Sequence, residues 1–133
     1  AIRSEQTIVN TAQRDQRDLA TFHLDRGRRL FEREDDRNAM AELRRAVYLS
    51  PYEAQAHLLM ARIHLRAGRT SDAVDALKIS IWSAETPDAR IALAQAYLKQ
   101  ENNAAARTEL ARALVLDPSS AEARRLLTSV EGK

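Results

Sequence analysis

Apolar residues recur at helical spacing in seven stretches, each bounded by a polar or proline-containing turn. The clearest lies at 54–85, where two short amphipathic helices meet at Gly68. Upstream, residues 1–19 are mostly polar, with Ile8, Val9, Ala12 and Leu19 as a thin stripe. They read as a lead-in that turns helical from a capping box at Asn10 and Gln13, with a linker as the alternative. From Ala20 the pattern sharpens: Ala20–Arg33 carries Phe22, Leu24, Gly27, Leu30 and Phe31 on one face, and Asn38–Leu49 carries Ala39, Met40, Leu43, Ala46, Val47 and Leu49.

The boundaries are predicted from capping chemistry. Glu34-Asp35-Asp36 is a turn with Asp36 capping the next helix. Ser50 caps a helix over Tyr52–Ala67, with Pro51 in its first position and Glu53 closing a capping box. Gly68 ends it in a left-handed conformation. Thr70 or Ser71 caps Asp72–Ala84, Thr86 and Pro87 open Asp88–Gln100, and Asn103 caps Ala104–Leu116. Ser119 and Glu122 open a last helix that runs to about Val130.

These helices repeat. Leu43, Leu77 and Leu110 fall into register, as do Ala39, Ala73 and Ala106; Gly27, Ala61 and Ala94; and Ala46, Ser80 and Ala113. The steps between members are 34 and then 33 residues. Small residues allow close helix approach, leucine fills the space between, and one hairpin cannot bury its apolar face alone. On this pattern the chain resembles the tetratricopeptide repeat family over residues 20–131. That resemblance implies an all-α fold, an α-α superhelix of stacked antiparallel hairpins. The division is a lead-in at 1–19, repeats at 20–53, 54–86 and 87–118, and a capping helix at 119–133. Departures from the family pattern include His23, His57 and Arg90 where Trp is common, Arg26 for an apolar residue, and Glu34 and Glu101 at the place of Gly68. They predict looser packing in the first unit.

Composition narrows the chemistry. The 133 residues have a net charge of +2, 5% aromatics and no cysteine. Disulfides and cysteine chemistry are excluded, whereas the compartment stays open between cytoplasm and periplasm. No apolar run reaches the roughly 20 residues that span a bilayer, and no signal peptide is visible, although one or an anchor could precede Ala1. Cations are nearly all arginine, a bias that suggests a GC-rich bacterial genome. The Arg28-Arg29, Arg44-Arg45 and Arg124-Arg125 pairs point in different directions on their helices and lack interleaved aromatics, so a nucleic-acid partner is not expected. His57 and His64 are about 10 Å apart along one helix, too far to share a metal. His23 shares the repeat position of His57, and all three histidines read as packing residues. Glu32, Glu34, Asp35 and Asp36 read as capping and solvation. No phosphate loop, metalloprotease motif or nucleophile elbow occurs. No cofactor and no catalytic function are predicted.

The resemblance further implies a concave groove lined by the first helix of each unit. Its residues here are Leu24, Arg28, Phe31, Leu58, Leu59, Arg62, Leu65, Arg66, Ile91, Gln95, Leu98, Lys99 and Arg125. With Leu58, Leu65 and Leu98 as floor and Arg28, Arg62, Arg66 and Lys99 as basic edge, it suits a protein segment carrying apolar anchors and acidic groups. The positions that form the family's carboxylate clamp for chaperone tails hold Leu24, Arg28, Leu59, Asp88 and Ala92, so such tails are not expected partners. A second candidate interface is an outer apolar stripe of Tyr48, Ile79, Trp82 and Val115, which points to self-assembly. The function implied is a non-catalytic interaction scaffold, with bacterial relatives serving in assembly of pili, secretion systems and outer-membrane machinery.

Overall fold

The computed structural model describes residues 2–132. Its helices are α1 (Ile2–Glu32), α2 (Asp36–Leu49), α3 (Ala54–Arg66), α4 (Thr70–Ser83), α5 (Pro87–Lys99), α6 (Asn103–Leu116) and α7 (Ala121–Glu131). Within the described residues there are no strands. Helices α1 and α2, α3 and α4, and α5 and α6 form hairpins, and α7 packs on α6. Successive first helices (α1 on α3, α3 on α5) touch one another, whereas second helices do not pack on each other to that extent. The array therefore curves with its first helices on the inner side.

Each hairpin turn is closed by the same hydrogen bonds. Asp35, Arg69 and Asn102 donate their backbone N–H to the carbonyls of Leu30, His64 and Tyr97, each at 2.9 Å. That six-residue closure requires a left-handed residue just before it. Glu34, Gly68 and Glu101 take that place with φ of 61°, 79° and 59°. Only the middle unit uses glycine.

Several caps fall one or more residues from their expected places. Asp35, not Asp36, caps α2, accepting from the Asn38 N–H. Ser50 instead ends α2, and Glu53 caps α3, accepting from the Gln55 N–H. Arg69 occupies the α4 cap with no side-chain bond, so neither Thr70 nor Ser71 serves. Asn102 replaces Asn103, and Ser120 replaces Ser119. Thr86 caps α5 with Pro87 in its first turn, as expected. The difference between Pro87 and the other two prolines lies in the turns. Residues 50–53 and 117–120 separate α2 from α3 and α6 from α7, but only 84–86 separate α4 from α5. The missing residue accounts for the step of 33. In the longer turns, Glu53 and Ser120 first donate to the carbonyls of Ser50 and Asp117.

The lead-in is helical from Ile2 and continuous with the first hairpin. Asn10 starts no helix; its side chain accepts from Gln6 within α1. Side chains from Arg3 to Leu19 are exposed, and Ala20 is the first buried one. Gln16 ties this segment to the array by donating to the Leu49 carbonyl at 2.8 Å.

Three apolar clusters fill the spaces between hairpins, centred on Leu43, Leu77 and Leu110. These leucines are fully buried. The first unit is not loose. A Cβ added at Gly27 would lie 2.7 Å from Leu43 Cδ2, so any larger residue there would force the Leu43 side chain to shift. Ser80, in the place of Ala46 and Ala113, satisfies its buried hydroxyl by donating to the Ala54 carbonyl at 2.8 Å.

The left-handed glutamates carry a backbone cost of about 1–2 kcal/mol that glycine avoids, less the entropy glycine regains on unfolding. Glu34→Gly and Glu101→Gly should each raise stability by about 0.5–1 kcal/mol. The check is a higher urea midpoint at unchanged slope; a lower midpoint would mean that these side chains make compensating contacts.

Candidate peptide-binding groove

The inner face repeats three lines of residues. Phe31, Leu65 and Leu98 occupy one repeat position; Arg28, Arg62 and Gln95 a second; Glu32, Arg66 and Lys99 a third. Phe31, Leu65 and Leu98 are half-buried and pack on the three core clusters, each leaving an apolar edge on the inner face. Leu65, Arg66, Gln95, Leu98 and Lys99 together line one open pocket of about 400 Å³ between α3 and α5.

Four expected groove residues are core instead. Leu24, Leu58, Leu59 and Ile91 are 8%, 3%, 5% and 4% exposed. Leu24, Leu58 and Ile91 share one repeat position, whose side chains fill the space between hairpins. A first helix must satisfy both its own partner helix and the next hairpin, so its apolar arc is wider than one groove-facing stripe. The floor is therefore narrower than the sequence implies, and Leu58 is not part of it.

The basic edge is partly committed. Arg66 donates to Asp36 at 2.5 Å and lies over the Phe31 ring, 4.1 Å from its centroid. This ties the second hairpin to the first. Arg28 stands 3.7 Å from Asp25. Gln95 donates to Glu122 at 3.3 Å, which links α5 to α7. Arg62, Lys99 and Arg125 have no carboxylate partner among the described residues.

On the outer side, Tyr48, Trp82 and Val115 are 85%, 74% and 81% exposed. Ile79 is also exposed. Tyr52 extends this surface by packing on Trp82, with ring centroids 5.2 Å apart. Tyr52 lies in the turn before α3 rather than in the helix expected over Tyr52–Ala67, and the turn brings its ring beside Trp82.

Two buried carboxylates, Glu42 and Glu109, do not stand out in the sequence pattern. Glu42 and Glu109 share a repeat position that holds Ala76 in the middle unit. Glu42 accepts from His23 at 2.6 Å and from Arg45 at 2.7 Å. Glu109 accepts from Arg90 at 2.8 Å and from Arg112 at 3.0 Å. Where Ala76 stands, His57 donates its Nε2–H to the Pro51 carbonyl at 2.7 Å. The signal lay in the register: His23, His57 and Arg90 oppose Glu42, Ala76 and Glu109, so charge appears in pairs. His64 lies outside the core and accepts from Arg69 at 2.9 Å. Among the described residues, no group of three or more His, Cys, Asp or Glu could hold a metal, and no helix is long and apolar enough to cross a membrane.

Stacked helical hairpins with a repeating inner face define a helical-repeat solenoid. The chain belongs to the tetratricopeptide repeat family: one tetratricopeptide-repeat model matches residues 24–90, half of the chain, and another matches residues 87–130. No curated protein matches it in sequence. Among solved structures, it is similar to the first repeat domain of Spaghetti (RPAP3) bound to the HSP90 peptide SRMEEVD. The TM-score is 0.83 at 16% identity, over 87% of this chain and 93% of that one. The second repeat domain of human RPAP3, in complex with the HSP70 peptide SGPTIEEVD, gives 0.79 at 17% identity, over 91% and 99%. MamA gives 0.80 at 19% identity, over 98% of this chain and 75% of that one. These likenesses establish the fold.

Burial would raise the Glu42 carboxyl, but the His23 hydrogen bond and the charges of Arg26 and Arg45 outweigh it and hold it below its ordinary value. The unfolded chain therefore takes up this proton first as pH falls. Stability from Glu42 is complete above the unfolded value of about 4.3 and is lost as pH drops through the folded value. Glu42→Gln should cost about 1–3 kcal/mol near pH 7 and less near pH 3, read from urea unfolding at the two pH values. An equal loss at both would show that the carboxylate charge is not what stabilises.

Proposed function

We propose that the protein is a non-catalytic interaction scaffold that holds a partner's segment along its inner face. The partner places apolar side chains against Phe31, Leu65 and Leu98 and acidic groups against Arg62 and Lys99. The observation that carries this is the pairing of a repeated, half-exposed apolar line with cations that have no internal partner among the described residues. A folded chain gains nothing from leaving these cations unpaired beside an apolar edge; a ligand with complementary groups does. Structural neighbours that hold peptides support the reading. The residues at the chaperone-clamp positions favour partners other than chaperone tails. The setting we favour is assembly of a bacterial envelope, pilus or secretion machine, the use to which bacterial members of the family are commonly put.

Peptides selected from a displayed library against the whole chain should be enriched in apolar residues spaced with Asp or Glu. Arg62→Glu with Lys99→Glu should weaken them more than tenfold, about 1.4 kcal/mol. Unchanged affinity in the double variant would sink the groove reading.

A second reading, self-assembly through the outer face, is favoured by the exposure of Trp82 and Tyr48. Exposed aromatics that stack on each other make strong anchors. Sedimentation across a wide concentration range should show association that Trp82→Ser abolishes. A monomer at every concentration would remove this reading.

A further inference from the structure

A second pocket, of about 390 Å³, lies between α2 and α3 at the edge of the array where the hairpins turn. Arg37 and Arg44 reach it from α2, Arg66 from the end of α3, and Arg69 from the turn beyond. Met40 and Ile63, both buried, form its floor. Arg66 is engaged by Asp36, the one carboxylate in the lining. Arg37, Arg44 and Arg69 make no salt bridge among the described residues. The contrast with the adjacent Arg45, which is spent on Glu42 at 2.7 Å, is direct. In a chain of net charge +2, three arginines without a carboxylate partner lining one concavity are a local concentration of positive charge. Arg69 donates its Nε–H to His64 Nδ1, so this imidazole is neutral. Burial, then the charges of Arg69 and Arg44, push its pKa down against the opposing pull of Asp72.

We infer that this edge pocket receives a phosphomonoester dianion, bound by the guanidiniums of Arg37, Arg44 and Arg69 above the Met40–Ile63 floor. Every cation is arginine, whose planar fork donates two parallel hydrogen bonds to an oxyanion. The forks come from one helix and from a turn. A tetrahedral phosphoryl group offers three acceptor oxygens in different directions to such a set, whereas a carboxylate offers two in one plane. The dianion also neutralises most of the convergent charge. The inference does not rest on the groove reading, since only Arg66 lines both pockets.

The test is a titration of the whole chain followed through its backbone amides and arginine Nε–H resonances. It is run near pH 8, so that both phosphoserine, whose second ionisation lies at about pH 6, and inorganic phosphate are dianions, with ionic strength held constant by chloride. The probes are inorganic phosphate, a peptide with one phosphoserine, and the same peptide with glutamate in its place. Inorganic phosphate should give saturable shifts at Arg37, Arg44, Arg69 and His64. These shifts should vanish in Arg37→Gln with Arg44→Gln, two exposed positions whose change leaves the rest of the spectrum intact. A phosphoserine peptide about tenfold tighter than inorganic phosphate assigns a phosphorylated protein as the source. Equal or weaker binding assigns a free phosphomonoester. Three results overturn the inference: shifts no larger than chloride produces, binding that survives the double variant, or a glutamate peptide as tight as its phosphoserine counterpart.

Discussion

Each second helix drives one leucine into the first helix of its own hairpin, against a residue with little or no side chain. Leu43 meets Gly27 so closely that any larger residue there would force the leucine to shift. Leu77 and Leu110 share their clusters with Ala61 and Ala94. This contact sets how near two helices lie, and their nearness sets where the next hairpin can stack. The inner face inherits its spacing from there. Phe31, Leu65 and Leu98 form a line because the three hairpins stack in the same register. The groove is a by-product of core geometry, as expected where each repeat touches only its neighbours.

Polar contacts differentiate units that the leucines make alike. The outer hairpins bury a glutamate held by two basic side chains, whereas the middle one buries alanine and turns His57 to a backbone carbonyl. Arg90 shows the strength of such a pairing. Burial would lower its pKa, yet hydrogen bonds to Glu109 and Glu85 raise it. Buried carboxylates of this kind demand their partners, because an unpaired charge there costs more than the pair contributes.

The fold was legible because its signals are periodic. Small residues and leucines recur at steps of 34 and 33 residues, close to the period at which helical hairpins stack into an array. Helix starts were less so. A run such as Ser50-Pro51-Tyr52-Glu53 contains two residues able to cap, and the choice depends on whether the chain completes a turn first. One residue fewer at 84–86 was enough to put Pro87 where Pro51 does not sit. In the groove, leucines facing inward and leucines facing the next hairpin are alike in sequence, so Leu58 and Leu65 could not be told apart. Their exposure depends on the curvature of the stack, which no single helix encodes. Glu42 was hidden for a related reason: a charged residue on an amphipathic helix reads as solvated until its partner helix supplies His23.

The first helix continues well beyond the hairpin it begins. Residues 2–19 extend it by roughly 27 Å at 1.5 Å per residue. A flexible leader would let anything attached to it wander over a sphere. A continuous helix, tied to the array where Gln16 donates to the Leu49 carbonyl, instead leaves it along one direction. Whatever engages its far end is presented to the rest of the protein at one distance and from one side. The repeats would then meet it with the orientation already decided.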